Sequence, residues 1–525
     1  MRRPQPIVPA HRLAAWIAIG GFALGLMGTF FVAGSFGLPA PIVWAFLVFV
    51  LSVGALLLNK PRPLLNIMMF YFLFMPFNRL FGILPVPLPR FVDELFFIPF
   101  LAVIVMYTIQ GKVVRGGLWF PIATVLVGAV SFYVNGKHSP FTALRVILIN
   151  LKFFIVFYFC RLTCTFRDYG ELEKWLKLYV FYGFIQYFYN VLRYRTPFVL
   201  HGNDTGTGIF GNNGGAHTTG YVCIFALFCL AGWWLARQRE ESFPFGKKAL
   251  AFLVGLNIFY DLLFMTDTKH GLVLMMPAAV PFFLHPIVPK KTRAAGMALG
   301  ILALMAIVFY FIVSNIGSQY RIHSVRDMVH SIEQRPKGVI ARVLIHDMDF
   351  WLPFPLLGAG PGRFTSAQAI DGHAPLAMHY IQPFLDESRR AGYFHTSGFT
   401  AVASILGSPQ STLFTWWGEF GLPMTFVFYA FSLWIYVLFW RRAASSGGLW
   451  DGQTRNATLA ILGMLGFQLL MTFIQPIYST TYFSFFLWML IGRTMDMRRM
   501  VATNGKEEWH EPGSGAAFPE RRLPS

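Results

Sequence analysis

The chain has 525 residues, of which 55% are hydrophobic and only 13% are charged, with a mean hydropathy of +0.54. A soluble protein of this length has too little interior for so much apolar surface, so the composition selects lipid as its solvent. The net charge of +19 does not point to nucleic acid, because Lys and Arg are dispersed at the ends of apolar segments, as the positive-inside rule expects.

The apolar stretches run for about 20 residues instead of alternating over about 10, which predicts helices and excludes a barrel. In chain order the expected spans lie near 13–34, 41–58, 64–84, 92–109, 117–135, 143–163, 172–193, 218–236, 248–266, 270–287, 294–314, 420–440, 456–474 and 477–493. The predicted fold is therefore all-α, a polytopic transmembrane helical bundle of about 12–14 spans. The first segment is too long for a signal peptide and lacks a small-residue cleavage site, so it reads as a true span. Asn78 and Arg79 interrupt the third span, and Arg145 and Lys152 the sixth. Spans nine and ten form a tight hairpin around Asp267-Thr268-Lys269-His270. Cys160, Cys164, Cys223 and Cys229 lie in or beside spans, with no disulfide framework or metal-site spacing.

Short loops set the orientation. Alternate loops carry Lys60 and Arg62, Lys112 and Arg115, Arg161 and Arg167, Arg237 and Lys247, Lys290 and Arg293, then Arg441, Arg442 and Arg455. Both ends of the chain are basic as well, through Arg2, Arg3 and Arg12, then Arg493, Arg498 and Arg499. With an even span count all of these fall on one side, which puts both termini in the cytoplasm. The expected organisation is 1–200, N-terminal transmembrane helices; 201–314, transmembrane helices with an external Gly/Asn-rich segment; 315–410, a large, partly helical extracytoplasmic loop; 411–495, C-terminal transmembrane helices; and 496–525, a disordered cytoplasmic tail. The large loop far exceeds what a connection needs. It holds six of the 13 histidines (His323, His330, His346, His373, His379 and His395) together with Arg321, Arg326, Arg335, Arg342, Arg363, Arg389 and Arg390.

Five stretches carry candidate chemistry. Gly206-Thr-Gly-Ile-Phe-Gly-Asn-Asn-Gly-Gly-Ala-His217 places small residues and amides just before a span, suiting a tightly folded mouth or a plain loop. Lys269 stands at a hairpin mouth, as a functional cation or a snorkelling anchor. From 340 to 351 the periodicity is helical, with Leu344, Ile345, Met348, Trp351 and Leu352 on one stripe and Arg342, His346 and Asp349 on another. A helix lying on the membrane surface would have the same pattern. Gly358-Ala-Gly-Pro-Gly362 ends a helix and permits close backbone approach or an anion nest; no Gly-Lys-Ser/Thr follows, so it is not a Walker loop. Glu419 sits at the start of a span, where an ionisable group is expensive unless paired, whether for function or for a structural bond.

In this order the pieces resemble the O-antigen ligase and polymerase superfamily of bacterial envelope glycan assembly. That family has a Gly-Asn-rich external motif, a Ser-Arg-Gly-like hairpin, an arginine on a helix, a Gly-x-Gly-x-Gly turn, and a His-Asn motif before Glu-x-Gly. The matching residues are Gly208-Ile-Phe-Gly-Asn-Asn213, Thr268-Lys-His-Gly271, Arg342, Gly358-Ala-Gly-Pro-Gly362, and Gln410-Ser411 ahead of Glu419-Phe-Gly421. The detailed likeness covers roughly 200–440; the rest is alike only in topology. Two positions depart from the pattern. Lys269 replaces the usual arginine, keeping the charge but losing the bidentate fork. Gln410 stands where the family has a histidine, and glutamine is no general base; His395 is the nearest histidine upstream.

The resemblance implies a metal-independent membrane glycosyltransferase, without a cofactor, acting on polyprenyl diphosphate-linked oligosaccharide at the periplasmic face of the inner membrane. It implies a catalytic set of Arg342, Lys269, His395, Gln410 and Glu419. Substrate contacts would come from Asn212, Asn213, Gly358, Gly360, Gly362, Arg363 and His346. Fixed cations would stabilise the diphosphate leaving group, and a base would activate the acceptor hydroxyl. Expected partners are the lipid-linked glycan, membrane lipid, a chain-length regulator and export machinery, and no nucleic acid. A polymerase of exopolysaccharide, capsule or O-antigen repeat units is the first expectation, and an O-antigen ligase the second. A lipid-linked glycan flippase, drawing on Asp93, Arg145, Lys152 and Asp261, is the rival from another class.

Overall fold

The computed structural model describes residues 62–66, 68–69, 72–73, 97–110, 118–135, 139–194, 206–210, 215–237, 244–266, 268–288, 340–347, 354–364, 366, 369, 374–376, 378–379, 411–445, 450–473 and 481–497. Among these residues helix dominates and no strand occurs. In chain order the principal helices are α1 (Ile98–Ile109), α2 (Trp119–Val134), α3 (Pro140–Thr163), α4 (Tyr169–Tyr194), α5 (Gly215–Arg237), α6 (Phe245–Tyr260), α7 (Lys269–Ala278), α8 (Val280–Leu284), α9 (Phe354–Leu357), α10 (Thr412–Thr415), α11 (Gly421–Ala444), α12 (Gly452–Met471) and α13 (Thr481–Met495). Among the described residues four segments are long and apolar enough to cross a membrane: Pro140–Thr163, His217–Arg237, Phe245–Met265 and Thr412–Ala444. The predicted spans at 13–34, 41–58 and 294–314, most of 64–84, and the tail beyond 497 lie outside the described residues.

Of the four membrane-length segments, α3 is the most deeply buried. Ser139 caps it by accepting a bond from the Thr142 amide at 3.3 Å, and Pro140 follows at the first helical position. The helix then runs unbroken through Arg145 and Lys152, the residues that interrupt the sixth span in sequence; Lys152 is 1% exposed. Against it lies α13, at a crossing where a Cβ on Gly492 would stand 2.6 Å from the Phe157 carbonyl oxygen. α5 and α12 meet in the same way, with Gly232 against Ala457 and Ala460, and Gly463 against Phe228. Helices in lipid gain little from apolar contact alone, so small residues that permit close approach hold them together. Aromatic rings fill the centre: Phe120 stacks on Phe431 at 4.8 Å, Trp416 on Phe428 at 4.8 Å, and Phe154 meets Trp488 at 4.8 Å. Outer faces are apolar too, with Leu126, Phe252, Leu256, Phe426 and Trp434 exposed. Helices that are hydrophobic all round belong in lipid.

Side-chain bonds sort the helix ends into two sets. At one end Arg161 pairs with Asp496 at 2.8 Å, Arg237 with Glu173, and Arg493 donates to the Cys164 carbonyl at 2.8 Å; Arg442 reaches the Met495 carbonyl. These contacts join the C-termini of α3, α5, α11 and α13 to the N-terminus of α4, so the helices alternate in direction and their basic ends converge. The opposite end carries the glycine-bearing turns.

A candidate site at the glycine-bearing end

The segment after α9 is a turn that only glycine can make. Gly358, Gly360 and Gly362 have φ of +68°, +98° and +80°, a region that L side chains avoid. Space forbids a side chain as well. A Cβ on Gly358 would lie 2.5 Å from the backbone carbon of Glu419, and one on Gly362 would lie 2.7 Å from Thr142 Cγ2 at the start of α3. The turn is also bonded in place. The Ala359 amide donates to the Gly418 carbonyl at 2.8 Å, and Asn135, capping the end of α2, donates through Nδ2 to the Gly358 carbonyl at 3.0 Å. In return the half-buried Arg363 guanidinium donates to the Asn135 carbonyl. Burial lowers the Arg363 pKa from its ordinary value, which begins so high that the group stays charged at neutral pH.

Glu419 fills the concavity of this turn. It lies in a π-turn, Trp416–Phe420, and is fully buried. Its Oε2 accepts the Gly362 amide at 2.7 Å, while Oε1 accepts Ser366 at 2.8 Å and Phe364 at 3.3 Å. The carboxyl group is thus held by the last amide of the glycine turn and by two amides of the segment that follows it. The backbone donors of Gly362, Phe364 and Ser366 are therefore engaged, and what the turn presents outward is Arg363 and the surrounding chain.

Gly421 closes the unit. Its φ is +86°, and a Cβ there would stand 2.3 Å from the Leu356 carbonyl oxygen. Gly358 and Gly421 are mutual pockets, each seated on the other's strand of backbone. Gly421→Ala is therefore expected to lower the thermal midpoint of the detergent-solubilised protein by several degrees, since its φ of +86° with ψ of 167° is a region essentially reserved for glycine and costs another residue about 1–3 kcal/mol. Gly246→Ala, where a Cβ meets nothing within 4 Å, is the control. Equal midpoints for the two variants would refute the interlock.

Arg342 stands beside this unit. Ile340, Val343 and Leu344 are buried in a small apolar cluster with Phe354, Ala359, Phe364, Ala369 and Ala374, packed on Phe414 and Trp417, while Arg342 itself is exposed. The same cluster that seats the glycine turn therefore roots the arginine. The expected apolar stripe is shifted: Ile345 is 51% exposed, because residues Val343–Asp347 form a π-turn whose i→i+5 bonds rotate the faces away from α-helical spacing. His346 lies on this π-turn.

Lys269 belongs to a second cluster at the same end. It opens α7 directly after Thr268, and Gly220 and Gly271 both press on the Thr268 side chain, where a Cβ would come within 1.9 and 2.7 Å. The Gly206–Phe210 stretch lies over the end of α6, since a Cβ on Gly206 would meet the Met265 carbonyl oxygen at 1.8 Å. Sequence motifs 208–210 and 268–271 thus share one locality, built around α5. Asn212, Asn213, His395 and Gln410 lie outside the described residues. Among the described residues no three His, Cys, Asp or Glu side chains gather as a metal site.

Sequence reasoning missed Asn135 altogether, and with it the buried pair Gln186 and Asn190 on α4. The available signal for the pair was their i, i+4 spacing on a helix that is otherwise apolar or aromatic on that face. No protein-family model matches this chain, and no curated protein matches it.

Proposed function

We propose that this protein is a membrane glycosyltransferase that polymerises polyprenyl diphosphate-linked oligosaccharide repeat units into exopolysaccharide, capsule or O-antigen. The observation that carries the reading is the union of Gly358–Gly362, Glu419 and Gly421 into one bonded unit with Arg342 exposed beside it. Two motifs far apart in sequence are one object at the end of the bundle opposite the arginine-rich end. Under the positive-inside rule that end faces away from the cytoplasm, the side on which lipid-linked repeat units are joined.

The chemistry asked of these residues is limited. The acceptor hydroxyl attacks the anomeric carbon, the bond from that carbon to the diphosphate oxygen breaks, and the hydroxyl proton leaves to a base or to water. Charge grows on the departing diphosphate, and Arg342, with Lys269, would stabilise it by charge-assisted hydrogen bonds. Glu419 has a positioning role in this scheme, since its oxygens already hold three backbone amides. The prenyl chain would remain in lipid beside the apolar outer faces. Chain-length regulators and export machinery are natural partners of such an enzyme. The fully buried Lys152 and Asp261 favour a second reading, a lipid-linked glycan flippase, because charges inside spans mark transport paths.

A deletion strain separates these readings. Loss of the protein is expected to accumulate single lipid-linked repeat units on the non-cytoplasmic leaflet and to abolish long surface glycan. Accumulation of long lipid-linked chains would identify a ligase instead. Accumulation on the cytoplasmic leaflet would overturn the transferase reading in favour of the flippase.

A further inference from the structure

The Thr207–Phe210 turn is held from below by three polar side chains that have no access to solvent. Asn190 and Gln186 on α4 and Asp261 at the end of α6 are all 0% exposed. The Gly208 amide donates to Asn190 Oδ1 at 2.8 Å, and the Ile209 amide donates to Gln186 Oε1 at 3.1 Å. Asn190 is itself oriented, because its Nδ2 donates to Asp261 Oδ1 at 2.8 Å; the Cys223 thiol lies 3.5 Å from the other carboxylate oxygen. Asp261 opens the π-turn Asp261–Met265, which aims its side chain inward at Asn190. Gly208, at φ +52°, sits so close that a Cβ would stand 2.2 Å from Gln186 Oε1 and 2.7 Å from Thr219 Oγ1. Above the turn, the exposed Arg193 donates to Thr207 Oγ1 at 3.0 Å.

A second observation concerns the polar groups around the turn. Gln186 Nε2 and Thr219 Oγ1 are buried without a hydrogen-bond partner among the described residues. Leaving such groups unsatisfied is unfavourable, and an apolar contact of the same shape would be the more stable solution. Buried polar groups that are imperfectly satisfied yet bonded to a backbone turn specify one conformation of that turn.

We propose that Asp261, Asn190 and Gln186 are positioning residues that fix the Thr207–Phe210 turn, and with it Arg193, in the geometry glycosyl transfer requires. The inference rests on the transferase reading. It adds a carboxylate deep in the bundle as the far anchor of a site at its surface. Asp261 touches no substrate; it orients Asn190, and Asn190 orients the backbone.

The test uses the full-length protein in lipid nanodiscs, with amide exchange across 206–210 and transfer kinetics measured on the same samples. Asn190→Leu, Gln186→Met and Asp261→Leu are expected to speed exchange at Gly208 or Ile209 about tenfold or more, as release of a single bonded turn does. They are expected to lower kcat per folded molecule by about tenfold or more, since small misplacement of a site element is costly. Asp261→Asn retains an oxygen for Asn190 Nδ2 and should restore both values. Glu173→Gln, which breaks the Arg237 and Lys177 pairs at the opposite end, should lower the melting midpoint and leave kcat alone. Unchanged exchange in the Asn190 and Gln186 variants would overturn the proposal, and so would fast exchange with normal kcat. A wild-type protein that forms no glycosidic bond overturns the transferase reading and the catalytic half of this inference together. The exchange data would then decide separately whether the relay holds the turn.

Discussion

On the proposed transferase reading, Glu419→Ala is expected to abolish glycan synthesis and to lower stability at the same time. The substitution strips the acceptor from three backbone amides, those of Gly362, Phe364 and Ser366, all in buried residues. Each buried donor left unsatisfied costs about 1–3 kcal/mol, so the turn would reorganise instead of bearing the loss. The glycine turn, its interlock with Gly421 and the apolar cluster under Arg342 would shift together, and a displacement of about 1 Å at such a site reduces rate about 100-fold. Glu419→Gln separates charge from shape. The amide offers one oxygen where the carboxylate offers two, and its NH2 group faces a backbone donor. An intermediate loss is therefore expected, with folding nearer to normal. Expression, melting midpoint and transfer rate measured side by side check this. Wild-type transfer by Glu419→Ala would remove the glycine turn from the site.

Under the same proposed reading, Arg342→Ala should give a different signature, loss of transfer in a normally folded bundle. Its side chain is exposed, and the buried neighbours Ile340, Val343 and Leu344 carry the packing. Exposed substitutions away from buried features usually change stability by less than about 0.5 kcal/mol. Loss of one fixed donor to a developing negative charge reduces rate by about 100- to 1000-fold. Arg342→Lys should recover only part of the rate, because an ammonium cannot reproduce the two-pronged grip of a guanidinium on a phosphate. Full activity in Arg342→Ala, measured with purified lipid-linked donor, would move the diphosphate contact to another cation, with Arg193 and Arg363 the first candidates.

Where the described residues cover them, the helices were legible in the sequence because lipid imposes a length and a composition on every span. The expected spans 143–163 and 218–236 fall on Pro140–Thr163 and Gly215–Arg237, which are apolar enough to cross a membrane, while 172–193 is borne out as a helix, Tyr169–Tyr194. Basic residues marked which helix ends would meet, and Arg161, Arg237 and Arg493 do meet partners at one end. The glycine turn and Glu419 were each visible as oddities, a run of positive-φ residues and a charge in an apolar stretch. Their bond was not visible, because nothing in a linear sequence says that one fills the other. Asn135, Gln186 and Asn190 were harder still. A single amide in an apolar helix changes mean hydropathy little, and its meaning lies wholly in which backbone group it faces. The π-turns escaped for a related reason: hydropathy has no signature for one extra residue in a helical turn.

That extra residue has a consequence for how this chain can change over time. The turns at Asp261–Met265, Val343–Asp347 and Trp416–Phe420 each resemble a helix into which one amino acid has been inserted. Removing one residue from the last of them would restore ordinary helical winding and rotate everything before it by about 100°. Ser411 would then cap a differently facing turn, and Glu419 would lose sight of the amides it serves. Deletion of Trp417, for example, leaves charge and every named motif intact on paper. Lineages of this protein should therefore tolerate many exchanges of apolar residue in these helices, yet hardly any change in their length at these three places.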